Sequence, residues 1–155
     1  PYQRQPHVTL VVCGFLTPSP RLEDDYANQG MERHVRDLQQ ARIAPFEIQI
    51  GGLNSFAAAP FLEVFDTHGG LARVRQILGS TCCEIRSRPY VPHLTVGLYA
   101  GAYPVGQVAQ KISGFADSSW ISCEVDQITL STYSAFEIAG PLLPEQEIRL
   151  ETAVA

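Results

Sequence analysis

The chain has 155 residues, a net charge of −5, a pI near 5.3 and 45% hydrophobic residues. That is the size and apolar content of one domain with a substantial core, and it excludes a disordered chain. The acidic balance argues against a surface that wraps a long polyanion, because such surfaces bind through clustered Lys and Arg. A small anion held in a local pocket remains compatible.

No apolar run approaches the roughly 18 residues of a membrane span, and the start carries no signal-peptide pattern. The expectation is a soluble, cytoplasmic monomer with no membrane partner. The cysteines, Cys13, Cys82, Cys83 and Cys123, lack zinc spacing. An adjacent Cys82-Cys83 pair in a strand points to opposite faces, so reduced, mostly buried thiols are expected.

The first predicted element is a strand from about His7 to Phe15, ending in the Thr17-Pro18-Ser19-Pro20 turn. A polar stretch follows, then a helix whose Met31, Val35 and Leu38 form one apolar stripe. His34 reads as an exposed residue off that stripe. Strands are predicted over Phe46–Leu53 and Phe61–Asp66. The connection between them is too long for a two-residue hairpin and carries Phe56, either a pocket wall or a loop plug. A second helix, Gly70–Leu78, buries Leu71, Val74 and Leu78, with His68 beside Asp66 as a capping or turn residue at its entrance.

Thr81–Arg88 and Pro89–Tyr99 read as further strands. A third helix over Val105–Ile112 turns Val105, Val108 and Ile112 inward, and Gly114 ends it. One long strand is predicted over Cys123–Tyr133, and Ile138–Leu150 returns as the last strand.

Within this order a short pattern occurs twice. Pro6-His7-Val8-Thr9 near the start is matched by Pro92-His93-Leu94-Thr95. Alternate strand residues share a face, so each copy presents an imidazole and a hydroxyl about 7 Å apart on one polar face, with Val8, Leu10, Leu94 and Val96 turned to a core. A lone His-x-Thr is weak evidence; its repetition in the same Pro and apolar frame is not easily accidental. If the halves are related by a pseudo-twofold, the two pairs face each other across one cleft. One imidazole could then accept a proton while the other donates one, and the threonines could hold phosphoryl oxygens.

The paired motifs, the aromatic loop before an apolar strand, and the Asp126-Gln127-Ile128-Thr129-Leu130 strand followed by Gly140-Pro141 resemble the 2H phosphoesterase superfamily, which includes the bacterial 2′-5′ RNA ligase-like cyclic phosphodiesterases. The resemblance implies an α+β, bilobal fold: two facing mixed or antiparallel sheets, helices outside, a central cleft, and residues 1–155 as a single domain of two pseudo-symmetric lobes. It implies metal-independent opening of 2′,3′-cyclic phosphates of nucleotides or RNA ends, with no cofactor. His7 and His93 become the acid-base pair, His93 as base and His7 as acid, with Thr9 and Thr95 on the phosphate; apart from the resemblance, Phe56, Tyr99 and Tyr133 are candidate pocket walls.

Two departures stand beside it. Many relatives place a strand and a helix before the first motif, whereas six residues precede His7, so the chain is trimmed there or that edge is built differently. The Arg that bacterial relatives often carry shortly after the second motif is missing from Val96-Gly97-Leu98-Tyr99, although Arg86 and Arg88 lie upstream. The competing readings are a nucleotide-binding module without turnover and a metal site built from His7, His93 and Cys13.

Overall fold

A computed structural model describes residues 2–81, 84–86, 89–115 and 119–151. The elements in chain order are β1 (Phe15–Leu16), β2 (Asp25–Tyr26), α1 (Asn28–Ala41), β3 (Phe46–Ser55), β4 (Pro60–Phe65), α2 (Gly70–Thr81), β5 (His93–Thr95), α3 (Val105–Gly114), β6 (Ile121–Val125), β7 (Gln127–Thr132) and β8 (Leu143–Arg149). The fold is α+β, as expected. Its main sheet is antiparallel, ordered β5-β4-β3-β6, and β7-β8 form a separate antiparallel pair. Among the described residues no helix is long and apolar enough to cross a membrane.

The alternating residues of the main sheet decide which side carries a core. Ile48, Val64 and Leu71 form one buried cluster, against which Val8, Leu10, Ile50 and Leu94 pack. A second cluster joins Leu38, Ile43, Val74 and Leu78 to Ile128, Ile148 and Leu150, and Leu10 packs against this one as well. Helix α2 contributes to both clusters through Leu71 and through Val74 and Leu78. It therefore lies behind the first motif segment as well as behind the sheet.

Two glycines are required locally. At Gly52, with φ of 60°, the pairing of β3 with β4 shifts register, a bulge whose left-handed residue suits Gly. It re-aims the end of β3 toward the loop carrying Phe56. Gly70 opens α2 directly beneath Phe46, where an added Cβ would lie 2.2 Å from the ring. Asp66 supplies the cap, its carboxylate accepting from the Ala72 amide at 3.1 Å, while exposed His68 occupies the preceding turn.

Several sequence expectations need correction. His34 is 1% exposed rather than on the surface: it lies three residues after Met31 and four before Leu38, which is the inward helical face. Its Nε2 donates to the Leu78 carbonyl at 3.1 Å, and its Nδ1 meets the Tyr26 hydroxyl at 2.7 Å. Burial is the main reason its pKa falls below the ordinary histidine value, outweighing the opposing Leu78 bond. Burial thus favours the neutral ring.

The expected first strand, His7–Phe15, is not continuous. Val8 makes an isolated bridge, β1 covers Phe15–Leu16, and Gly14 breaks the extended run at φ 132°. Between them the carbonyls of Leu10 and Val12 serve Arg75 and the Ile85 amide. The strand expected over Thr81–Arg88 is replaced by the end of α2 at Thr81 and by non-strand residues 84–86; Cys82, Cys83 and Arg88 lie outside the described residues.

The expected motif strand Pro89–Tyr99 is strand only over His93–Thr95. The long strand expected over Cys123–Tyr133 divides at Asp126, β6 pairing with β3 and β7 with β8. The apolar alternation slips by one residue between Val125 and Ile128, which is the mark of a chain changing sheets. Val105 is 83% exposed at the start of α3, whereas Val108 and Ile112 are half-buried. Cys123 is an exposed free thiol on the edge strand β6, and Cys13 is partly buried.

Candidate active site

The two motif segments meet through an antiparallel bridge between Val8 and Leu94. Both residues pack against the core. Their neighbours along each chain therefore project from the opposite face. The antiparallel register sets His7 across from Thr95 and Thr9 across from His93, so the four side chains form a compact block. This register makes His7 and His93 diagonal neighbours, which in an antiparallel pair stand about 7–8 Å apart with their Cβ atoms somewhat closer. Two imidazoles at that spacing can lean onto one phosphate.

The likeness of the two copies extends to what holds the rings. His7 Nδ1 lies 2.7 Å from the Gln5 carbonyl oxygen, and His93 Nδ1 lies 2.7 Å from the Val91 carbonyl oxygen. In each case the acceptor is the backbone two residues earlier. A carbonyl only accepts, so each Nδ1 carries its proton and each Nε2 is the nitrogen left to exchange one.

Behind the rings the two halves differ. The Gln5 side chain brackets the backbone of Leu142, donating to its carbonyl at 3.0 Å and accepting from its amide at 2.8 Å. The Gly140-Pro141-Leu142 segment thereby anchors the carbonyl that orients His7. Arg4, one residue earlier, donates to the Gly140 carbonyl and lies 4.4 Å from the centroid of the Tyr133 ring.

His93 is held instead by aromatic rings. Phe61 is paired with Thr95 across β4 and β5, which puts it on the motif face. Its ring centroid is 5.5 Å from that of His93, and Phe56 presents its edge to His93 at 4.8 Å. Phe56 stacks on Phe61 at 4.2 Å while remaining 39% exposed. Phe56 therefore stands beside the imidazole, part of its ring against Phe61 and part open to solvent.

The Phe56 loop is braced by Tyr99, whose hydroxyl meets Ser55 Oγ at 2.8 Å and whose amide donates to the Ala58 carbonyl. The three aromatic residues expected as walls thus have separate positions. Phe56 touches His93, Tyr99 secures its loop, and Tyr133 supports Arg4. Glu63, the register partner of His93, accepts from Asn54 Nδ2 at 2.8 Å.

Sequence reading did not single out Phe61, Gln5 or Glu63 for the site. Phe61 and Glu63 follow the alternation of β4 and could be found once the register is known; nothing local marks Gln5. Arg86 is exposed upstream of the second motif. Among the described residues no group of three or more His, Cys, Asp or Glu is arranged to hold a metal ion. Cys13 lies against His34, its sulfur 3.9 Å from Nδ1.

The model of the 2′-5′ RNA ligase superfamily matches residues 1–135. The chain belongs to this superfamily. Its fold is similar to that of E. coli LigT in its apo form, with TM-score 0.57 and 15% identity over 95% of this chain and 77% of that one. A second similar structure, solved as a phosphoesterase, gives TM-score 0.54 and 16% identity over 82% of this chain and 72% of the other. No curated protein sequence matches the chain. The superfamily is one of 2H phosphoesterases, and at these identities the solved structures speak for the fold.

Proposed function

We propose that the chain is a cyclic phosphodiesterase that opens 2′,3′-cyclic phosphates of nucleotides or RNA ends by two-histidine acid-base catalysis. The observation that carries this reading is the antiparallel meeting of the two motifs at Val8 and Leu94, with both imidazoles held through Nδ1 so that Nε2 is the nitrogen that exchanges a proton. A nucleotide-binding role alone gives no reason for two matched proton-exchanging nitrogens.

In the proposed reaction a water oxygen attacks phosphorus opposite the ribose O3′. Neutral His93 takes the water proton on Nε2, the P–O3′ bond breaks, and protonated His7 gives its Nε2 proton to O3′. The product is a 2′-phosphomonoester, and the proton distribution on the two rings is then restored through solvent. The hydroxyls of Thr9 and Thr95 donate to the non-bridging oxygens. This route supplies both proton transfers from side chains and requires no metal to activate the water. The exposed part of Phe56 is placed to meet the nucleoside next to His93.

The test is turnover of the four 2′,3′-cyclic nucleotides, an oligonucleotide ending in a cyclic phosphate, and ADP-ribose 1″,2″-cyclic phosphate, each with and without EDTA. At least one should be opened at an EDTA-insensitive rate. With an acidic chain and a local site, a mononucleotide rate should also survive moderate salt. Binding of these compounds without turnover would instead support the nucleotide-binding reading, and EDTA-sensitive turnover would reject the metal-free route.

A further inference from the structure

We infer that Arg75, on α2 and outside the His-x-Thr block, is the positioning residue that sets one motif segment against the other; the catalytic part of this inference rests on the proposed phosphodiesterase reading. Among the described residues the bridge between the two segments is the isolated pair Val8–Leu94. A single bridge leaves the relative placement of the two chains weakly defined, because a sheet fixes register through successive pairs. The separation of His7 from His93 therefore depends on contacts beyond the bridge.

Arg75 makes contacts on both sides. One guanidinium nitrogen, Nη1, donates to the carbonyl of Leu10, one residue beyond Thr9. The guanidinium carbon lies 3.7 Å from the centroid of the Tyr90 ring, three residues before His93. Its Nη2 forms an ion pair with Glu84 at 3.0 Å, which fixes the plane of the fork. The same group thus holds the end of the first motif and the approach to the second, from the core side of both.

The stacked ring is itself secured. Tyr90 is partly buried, and among the described residues its buried hydroxyl has no hydrogen-bond partner. Burial pushes its phenol up to about 12. It therefore offers the guanidinium a neutral aromatic face. A related arrangement stands before the other histidine, where Arg4, also three residues upstream, stacks on Tyr133. Of these two stacks among the described residues, the Arg75 one also reaches the opposite motif segment.

The chemistry explains why an arginine is needed. A planar guanidinium can stack on a ring while donating in two directions, whereas a lysine ammonium keeps the charge without the flat fork. Arg75→Lys should therefore retain pairing with Glu84 but lose the simultaneous hold on Leu10 and Tyr90. Tyr90→Leu removes the stack while leaving both donor bonds, and provides a second test should Arg75→Lys fold poorly. Arg73→Lys, on an exposed residue of the same helix, is the control.

The experiment has two readouts on the full chain. In NMR spectra, the imidazole signals of both His7 and His93 and the cross-strand contacts between Val8 and Leu94 should change or broaden in Arg75→Lys and Tyr90→Leu, and stay in place in Arg73→Lys. On the best cyclic phosphate substrate, kcat should fall about tenfold for Arg75→Lys, with KM changed less than about threefold. If the wild type turns over none of the substrates, the functional reading fails and the NMR readout still decides the positioning role. Folded Arg75→Lys and Tyr90→Leu proteins with unmoved imidazole signals and intact Val8–Leu94 contacts would overturn the inference, as would a lowered melting temperature with wild-type kcat below it.

Discussion

His7→Ala and His93→Ala should each lower kcat on the best cyclic phosphate by about 10²–10⁴-fold, the usual contribution of one positioned acid or base. In barrier terms this is about 3–5 kcal/mol per ring. The losses should not multiply, because one proton acceptor is of little use when the departing oxygen has no donor. The double variant should therefore be far more active than the product of the two single losses implies. Thr9→Ala and Thr95→Ala should cost less, since each removes one neutral donor while both rings remain held by the Gln5 and Val91 carbonyls. Either single variant retaining more than about a tenth of the wild-type rate would rule out the two-histidine mechanism.

The second large effect concerns the fold. His34→Ala should destabilise the protein by about 3–5 kcal/mol, combining the cavity left by a buried ring with the loss of partners for Tyr26 and Leu78. The wild type should also lose stability on mild acidification. Burial holds the folded pKa of His34 below the ordinary histidine value of 6.5, so the unfolded chain takes up the proton first. The stability from keeping the ring neutral is complete above about pH 6.5 and declines as pH falls from there toward the folded pKa. Denaturant unfolding at pH 7.5 and pH 5.5 should show a drop for the wild type and a smaller one for His34→Leu. Equal drops in the two proteins would show that His34 is not the group responsible.

How far the sequence carries the account differs by level. The motif pairs were legible because a strand has a strict two-residue period, so a repeated His-x-Thr places like groups on one face without knowledge of the partner strand. That the pairs meet was expected from a pseudo-twofold; the pairing of Val8 with Leu94 by which they meet was not legible, because it depends on a register set far away in the chain. The same holds for Arg75, whose value lies in reaching Leu10 and Tyr90 together.

His34 shows a different failure. Its spacing from Met31 and Leu38 fits the buried helical face, but a polar ring is assigned to solvent until Tyr26 and Leu78 are seen to satisfy it. At Asp126 the slipped alternation between Val125 and Ile128 was present in the sequence, yet a continuous β-prone run concealed the change of sheet. The expected strand after α2 arose from the run beginning at Thr81, whereas the helix continues through that residue.

The most direct measurement of the central claim, that His7 and His93 act on one phosphate, is a titration of adenosine 2′-monophosphate followed through the imidazole nitrogen signals. The account predicts that the Nε2 signals of both histidines shift along one saturation curve, with one ligand bound per chain, while the Nδ1 protons remain bonded to the Gln5 and Val91 carbonyls. Two independent curves, or a response from one histidine alone, would contradict it.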